Sequence, residues 1–229
     1  MRSIFLSDIH GNLAALDAVA ADLPDHDEVF VAGDHCLEGP RPAEVWDRLQ
    51  ELGWRLVIGN TDQDIVSPPA DRKGKNRDII AWTREQLGAE RIRALGALPF
   101  ALTGGVDGSV LIVHANPKTT DAHLYPTLSE DELRPYLSDV TQPIITFGHL
   151  HIPYVRPVGK HLLVDVSSVG HPKDLDRRAA YTVIEWTGDS RSVTQVRVPY
   201  DIDATLEDYR SCDMPHAENE MESLLKASY

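Results

Sequence analysis

Five short polar clusters fall where apolar runs end: Asp8-x-His10-Gly11-Asn12, Gly33-Asp34, Gly59-Asn60, Val113-His114 and Gly148-His149-x-His151. Any fold of this chain must explain why seven ligand-type side chains sit at the tips of strands: two carboxylates, one amide and four imidazoles. Singly, each has a plain reading. Asp8 can be a helix cap, Asp34 and Asn60 turn residues after glycine, and His114 a hydrogen-bonded core histidine. Separate accidents at five strand ends explain the pattern less well than one shared site on one edge of a sheet sandwich. The inventory suits a pair of divalent ions rather than one.

The surrounding periodicity supplies the strands. Ser3 to Leu6 is an apolar run, and Leu13, Leu16, Ala20 and Leu23 then recur at helical spacing before Pro24. The unit repeats with a strand over Glu28 to Ala32, a helix over about Ala43 to Leu52, and a strand over Arg55 to Ile58. Alternation of this kind implies parallel βαβ units, whose ligands gather beyond the carboxyl ends of the strands. A helix is expected over Asp78 to Leu95, with a break at Gly88. From Phe100 the texture changes: a hairpin is expected over Phe100 to Val113, then strands at Ile144 to Phe147, Tyr154 to Arg156, Leu162 to Val166, Tyr181 to Trp186 and Ser192 to Val198. A mixed first half and a strand-rich second half predict an α/β, αββα sandwich of two mixed sheets flanked by helices. The 229 residues are expected to form one domain, with a helical tail from about residue 203 that docks on the body or on a partner.

Charge and cysteine usage narrow the function. A formal net charge of −14 repels duplex nucleic acid and disfavours nucleic-acid binding. Cys36 and Cys212 have no C-x-x-C spacing, so neither a zinc knuckle nor a disulfide framework is expected. No apolar run has the length of a membrane span, and the start of the chain leads directly into a strand, so a cytoplasmic protein without membrane contact is expected. Motifs for nucleotide triphosphate, dinucleotide and serine-hydrolase chemistry are lacking.

Within extended segments, side chains at i and i+2 point the same way. Asp8 with His10, and His149 with His151, are therefore expected to act as pairs. The combination and order of the five clusters resemble the calcineurin-like metallophosphoesterase superfamily. Gly39-Pro40-x-Pro42-x-Glu44-Val45 and Ser167-Ser168-Val169-Gly170 look like its branch of small bacterial and archaeal phosphodiesterases. The resemblance runs from Met1 to about Trp186. It implies that Asp8, His10, Asp34 and His151 hold one metal, and that Asp34, Asn60, His114 and His149 hold the other, with Asp34 as the bridge. Two divalent ions of manganese, iron or zinc are implied as cofactors, since oxygen and imidazole ligands suit all three.

The chemistry implied is attack of a metal-bridging hydroxide on phosphorus, with Asp34, Asn60 and His114 as catalytic ligands. A small phosphorylated substrate is expected as partner, and a homo-oligomer is compatible with the sequence. Relatives often carry Gly-Asn-His at the third cluster, where the histidine is thought to protonate the leaving group. Here Thr61 follows Asn60, and its hydroxyl cannot replace a general acid. His35, His123 and His171 are the spare histidines; of these His35 and His171, with Arg41, are candidate substrate contacts. Cys36 is either a soft ligand or a small buried hydrophobe. Asn12 and Asp62 are expected to orient ligands. Arg72, Lys73, Lys75 and Arg77 form a basic loop, with Lys118 and Lys173 as further cations. The leading expectation is a phosphodiesterase or a hydrolase of nucleotide-like phosphoanhydrides. The alternatives are a phosphoprotein phosphatase, a dinucleoside polyphosphate hydrolase and a non-catalytic metal-binding scaffold.

Overall fold

Side chains that alternate between two apolar cores along strands buried on both faces dictate the layers. The computed structural model describes residues 1–188 and 190–228. In β1 (Arg2–Leu6) and β2 (Glu28–Val31), Ile4, Leu6, Val29 and Val31 face one way and Phe5 and Phe30 the other. These two strands lie side by side and parallel, with Phe5 opposite Phe30 and the two rings stacked at 5.4 Å. That phenylalanine face meets Val110 and Ile112 of β5 (Val110–Val113), Ile144 of β6 (Ile144–Phe147) and Val164 of β8 (His161–Asp165), forming the core between two sheets. Burying each phenylalanine is worth about 1.5–3 kcal/mol, so the seam holds the sheets firmly.

The first sheet has the order β10-β9-β1-β2-β3, the second β4-β5-β6-β8-β7. Here β3 is Arg55–Leu56, β4 Ala101–Gly104, β7 Tyr154–Val158, β9 Ala179–Thr187 and β10 Ser190–Val198. Helices α1 (Leu13–Asp22), α2 (Pro42–Leu52), α3 (Asn60–Val66), α4 (Gly74–Leu95), α6 (Ile202–Ser211) and α7 (Ala217–Lys226) cover the outer face of the first sheet. Helix α5 (Glu130–Leu137) covers the outer face of the second through Leu133 and Leu137. This is the expected αββα sandwich.

Several details differ from expectation. The third strand pairs over two residues only, because after Val57 the backbone leaves β2 and Ile58 N–H donates to Pro99 O. The long helix starts at Gly74 rather than Asp78, and its continuity is broken at Gly88, which sits at φ 69° and ψ 169°. The sheets do not divide at the middle of the chain: β9 runs antiparallel to β1 and completes the first sheet.

Strands β1, β2 and β3 are mutually parallel, as are β5, β6 and β8. The clusters ending at Asp8, Asp34, Asn60, His114 and His149 therefore emerge on one edge of the sandwich, where open α/β sheets gather their ligands.

Candidate metal centre

The ligand-bearing loops are tied to one another before any side chain is considered. Asp8 N–H donates to Gly33 O at 3.0 Å, His10 N–H to Asp34 O at 3.1 Å, and Gly148 N–H to His114 O at 2.8 Å. Five residues of the clusters, Asp8, His10, Asp34, His149 and His151, adopt left-handed backbone with φ between 48° and 70°. For residues other than glycine such conformations cost of order 1–3 kcal/mol each and persist only where the surroundings enforce them. Two glycines make the close approach possible. A methyl group at Gly59 would overlap the Asp34 carboxylate, and one at Gly148 would overlap Asp8 and Ser7.

The side chains gather into two groups, Asp8 with His10 and His151, and Asp34 with His114 and His149, each with its ligand atoms within 4.8 Å of one another. Asp34 spans them: Oδ2 lies 3.8 Å from His10 Nε2 and Oδ1 lies 3.4 Å from His114 Nε2. Asn60 Oδ1 stands 2.8 Å from His114 Nε2, adding an oxygen to the second group. Left-handed turns replace the extended segments expected from the sequence, so His149 and His151 do not act as a pair. They diverge, one to each group.

Each imidazole has one nitrogen fixed by a backbone carbonyl, which can only accept. His10 Nδ1 donates to Leu37 O, His114 Nδ1 to Ala32 O, His151 Nδ1 to His171 O and His149 Nε2 to Asp121 O. The neutral rings therefore turn lone pairs inward: His10 Nε2 and His151 Nε2 meet at 3.3 Å, His114 Nε2 and His149 Nδ1 at 3.2 Å. Asp8 Oδ1 is buried beside them, 3.0 Å from His151 Nε2, and lacks a donor while that ring is neutral. Facing lone pairs around an unpartnered carboxylate oxygen repel unless a cation or proton lies between them, so the donor set fits metal ions. Backbone carbonyls that orient ligand imidazoles are the usual support of such sites.

The electrostatics agree. Burial alone would lower the His10 imidazole, but the Asp8, Glu38 and Asp34 carboxylates outweigh it and raise its pKa to about 10. Burial and the neighbouring His114 push His149 down to about 3. Burial works against the Asp8 carboxylate, yet His151 and His10 hold it well below the ordinary value. A field that draws a proton onto His10 will also draw a metal cation.

Other expected residues fall elsewhere. Arg41 is paired with Glu44 at 3.0 Å and with Asp208 of α6 at 2.6 Å. His35 is fully buried, donates from Nδ1 to Asp62 Oδ2 at 2.8 Å and meets the Trp46 ring edge-on. His171 does border the cage, 5.9 Å from the His10 ring, while its Nε2 lies 2.9 Å from Ser223 Oγ of α7. His123 lies against His149, with ring centroids 4.1 Å apart. Cys36 is buried in the apolar core and shares neither group, so the small-hydrophobe reading holds. Of the basic loop, Arg72 pairs with Asp64 and Lys75 with Glu220, while Lys118 pairs with Asp139.

Asp62 is the organiser of the third cluster. Its carboxylate, fully buried, accepts from the backbone of Gly59, Asp34 and His35 as well as from the His35 ring. Asn12 caps α1 through Ala15 N–H and holds Gly170 O and Thr205 Oγ1. Sequence reasoning missed Glu38, which lies 3.6 Å from His10 Nδ1, and the Asp121 carbonyl that orients His149. No motif marks either one; both are brought in by loop geometry.

A four-layer sandwich with carboxylates and imidazoles caged at its shared strand edge defines a metal-dependent phosphoesterase architecture. Residues 1–189 match the calcineurin-like phosphoesterase superfamily domain, and the chain belongs to that superfamily. An uncharacterized protein of Methanocaldococcus jannaschii is 30% identical over 224 residues, covering 88% of this chain and 89% of that one. The crystal structure of a metallophosphoesterase from Sphaerobacter thermophilus is 26% identical, with a TM-score of 0.81 over 99% of both chains. A hypothetical protein from Pyrococcus horikoshii shares the fold at 17% identity, with a TM-score of 0.87 over 99% of this chain and 98% of that one. Among the described residues no helix is long and apolar enough to cross a membrane.

Proposed function

We propose that the chain is a cytoplasmic phosphoesterase that hydrolyses phosphodiesters or nucleotide-like phosphoanhydrides at a two-metal centre. Asp8, His10, Asp34 and His151 would hold one divalent ion, and Asp34, Asn60, His114 and His149 the other; manganese, iron and zinc all suit the donors. The single observation that carries the reading is the pair of inward-facing nitrogen contacts flanking Asp34. When bound, such ions lower the pKa of water and polarise phosphoryl oxygens.

The residues themselves supply position and direction. Asp8, His10, Asp34, His114 and His151 are buried, whereas Asn60 and His149 are partly exposed. A phosphoryl group therefore approaches from the Asn60 and His149 side. His114 is held by Ala32 O and His149 by Asp121 O, so neither ring turns when substrate arrives. Thr61 cannot deliver a proton near neutral pH, which favours esters with good leaving groups. Aryl phosphodiesters are expected to outpace simple alkyl phosphomonoesters.

The test is hydrolysis of bis-p-nitrophenyl phosphate by manganese-reconstituted protein. Asp34→Asn and His114→Ala should each lower kcat by about 10²-fold or more with the fold retained by circular dichroism. Full activity in either variant, or none in the parent with manganese, iron or zinc, would overturn the assignment.

A further inference from the structure

A cleft of about 180 Å³ opens directly beside the candidate metal centre, between α3 and α4, and shares Asn60 with the cage. Glu38, whose carboxylate reaches toward His10, closes its other side. The cleft thus touches the edges of both ligand groups. Resting on the phosphoesterase reading, we propose that it seats one organic arm of the substrate, and that this arm is a small neutral polyhydroxyl group such as a sugar ring.

Size sets the first limit. Pockets for drug-sized ligands run to roughly 300–1,000 Å³, so this one takes a fragment and not a whole nucleotide. Charge sets the second. The lining carries one guanidinium, Arg72, against two carboxylates, Glu38 and Asp64, and Arg72 is already paired with Asp64 at 2.7 Å. A second phosphate entering the cleft meets a net negative wall, so a phosphoanhydride chain is disfavoured there and a neutral arm is accepted.

Chemistry sets the third. Carboxylates and the Asn76 amide on the α4 wall offer acceptors and donors in the pattern that hydroxyl groups use. Buried Ile79 and Ile80 give the floor an apolar patch for the carbon face of a ring. Thr61 also lines the cleft, and its hydroxyl is buried without a hydrogen-bond partner. A threonine in a helix occupies either of two χ1 positions; turned to the other one, this hydroxyl would meet a hydroxylated ligand and gain the partner it lacks.

The experiment compares three p-nitrophenyl phosphodiesters whose second arm is methyl, ribosyl, or ribosyl bearing a further phosphate. The ribosyl ester should exceed the methyl ester in kcat/KM by about tenfold through KM, and the phosphorylated arm should lose that gain. Thr61→Val and Asn76→Leu should each reduce the ribosyl preference by about fivefold, the loss of one hydrogen bond. Asp64→Asn should raise the phosphorylated arm's kcat/KM relative to the ribosyl ester by about threefold.

A second readout needs no turnover. Methyl riboside added to the metal-free protein should shift the side-chain amide resonances of Asn60 and Asn76, and should not do so for Asn60 in Asn76→Leu. Riboside binding without hydrolysis of any ester would sink the phosphoesterase reading and leave the cleft assignment standing. Hydrolysis with equal preference for the three arms, and no amide shift, would overturn the cleft assignment.

Discussion

His114 Nε2 and His149 Nδ1 face each other at 3.2 Å, and in the neutral rings neither nitrogen carries a proton, because each imidazole donates from its other nitrogen to a backbone carbonyl. His10 Nε2 and His151 Nε2 likewise meet at 3.3 Å on the far side of Asp34, where the raised pKa of His10 keeps a proton on Nε2 until a metal ion takes its place. Nothing in an apolar core demands this; a metal cation or a shared proton does.

Proton release on metal binding follows from the same contacts. His10 has its pKa raised to about 10, so near pH 7.5 it is an imidazolium, and Nε2 must lose its proton before it can ligate. Lowering pH therefore opposes loading, and apparent affinity for manganese should rise by up to about tenfold per pH unit between pH 6 and 9. His149, pushed to about 3, is already neutral and contributes no proton. Isothermal titration in buffers of different ionisation enthalpy should show proton release on metal binding at pH 7.5, and less of it in His10→Asn. A proton count of zero in the parent would contradict the assignment of His10.

Asp62 should matter more to stability than its distance from substrate suggests. Its carboxylate answers three backbone N–H groups and the His35 ring, all buried. Asp62→Ala leaves those donors unpaired, each at a cost of about 1–3 kcal/mol, and should lower stability by roughly 3 kcal/mol or more. Because Asp34 and Gly59 hang from this side chain, metal affinity should fall about 10- to 100-fold as well. Urea unfolding and manganese titration of Asp62→Ala and Asp62→Asn separate the two effects, with the amide variant intermediate in both.

The order of the five clusters and the strand-helix-strand alternation up to Ile58 made the sandwich legible, because apolar runs and strand-end ligands are local patterns. Asp8 and His10 share one group, as their i, i+2 spacing predicts, whereas His149 and His151 part to different groups for a physical reason. Asp8, His10, His149 and His151 sit in left-handed turns enforced by hydrogen bonds to loops far along the chain, such as Asp8 N–H to Gly33 O. Helix α5 carries a readable capping box, Ser129 with Glu132, that the apolar pattern alone overlooks. The Arg41 partner shows the limit of local reading: α6 brings Asp208 to it across 167 positions. Pairings of that span leave no trace in local periodicity.

Asp165, at the end of β8, gives a pH test of stability for the metal-free protein. It is fully buried; Oδ1 accepts from Ser167 N–H at 2.8 Å, and Oδ2 has no partner. Burial raises its pKa well above the ordinary carboxylate value, with the Asp8 and Asp174 charges adding to the rise. The folded protein therefore keeps a proton that the unfolded chain has already released. Stability is then fully present below the unfolded pKa and declines as pH rises toward the folded pKa, by about 1.4 kcal/mol per pH unit for one proton. Asp165→Asn keeps the acceptor for Ser167 and removes the titration. Urea midpoints at pH 5, 6 and 7 should favour this variant over the parent by a margin that widens as pH rises; parallel curves for the two proteins would show that Asp165 is ionised in the native state.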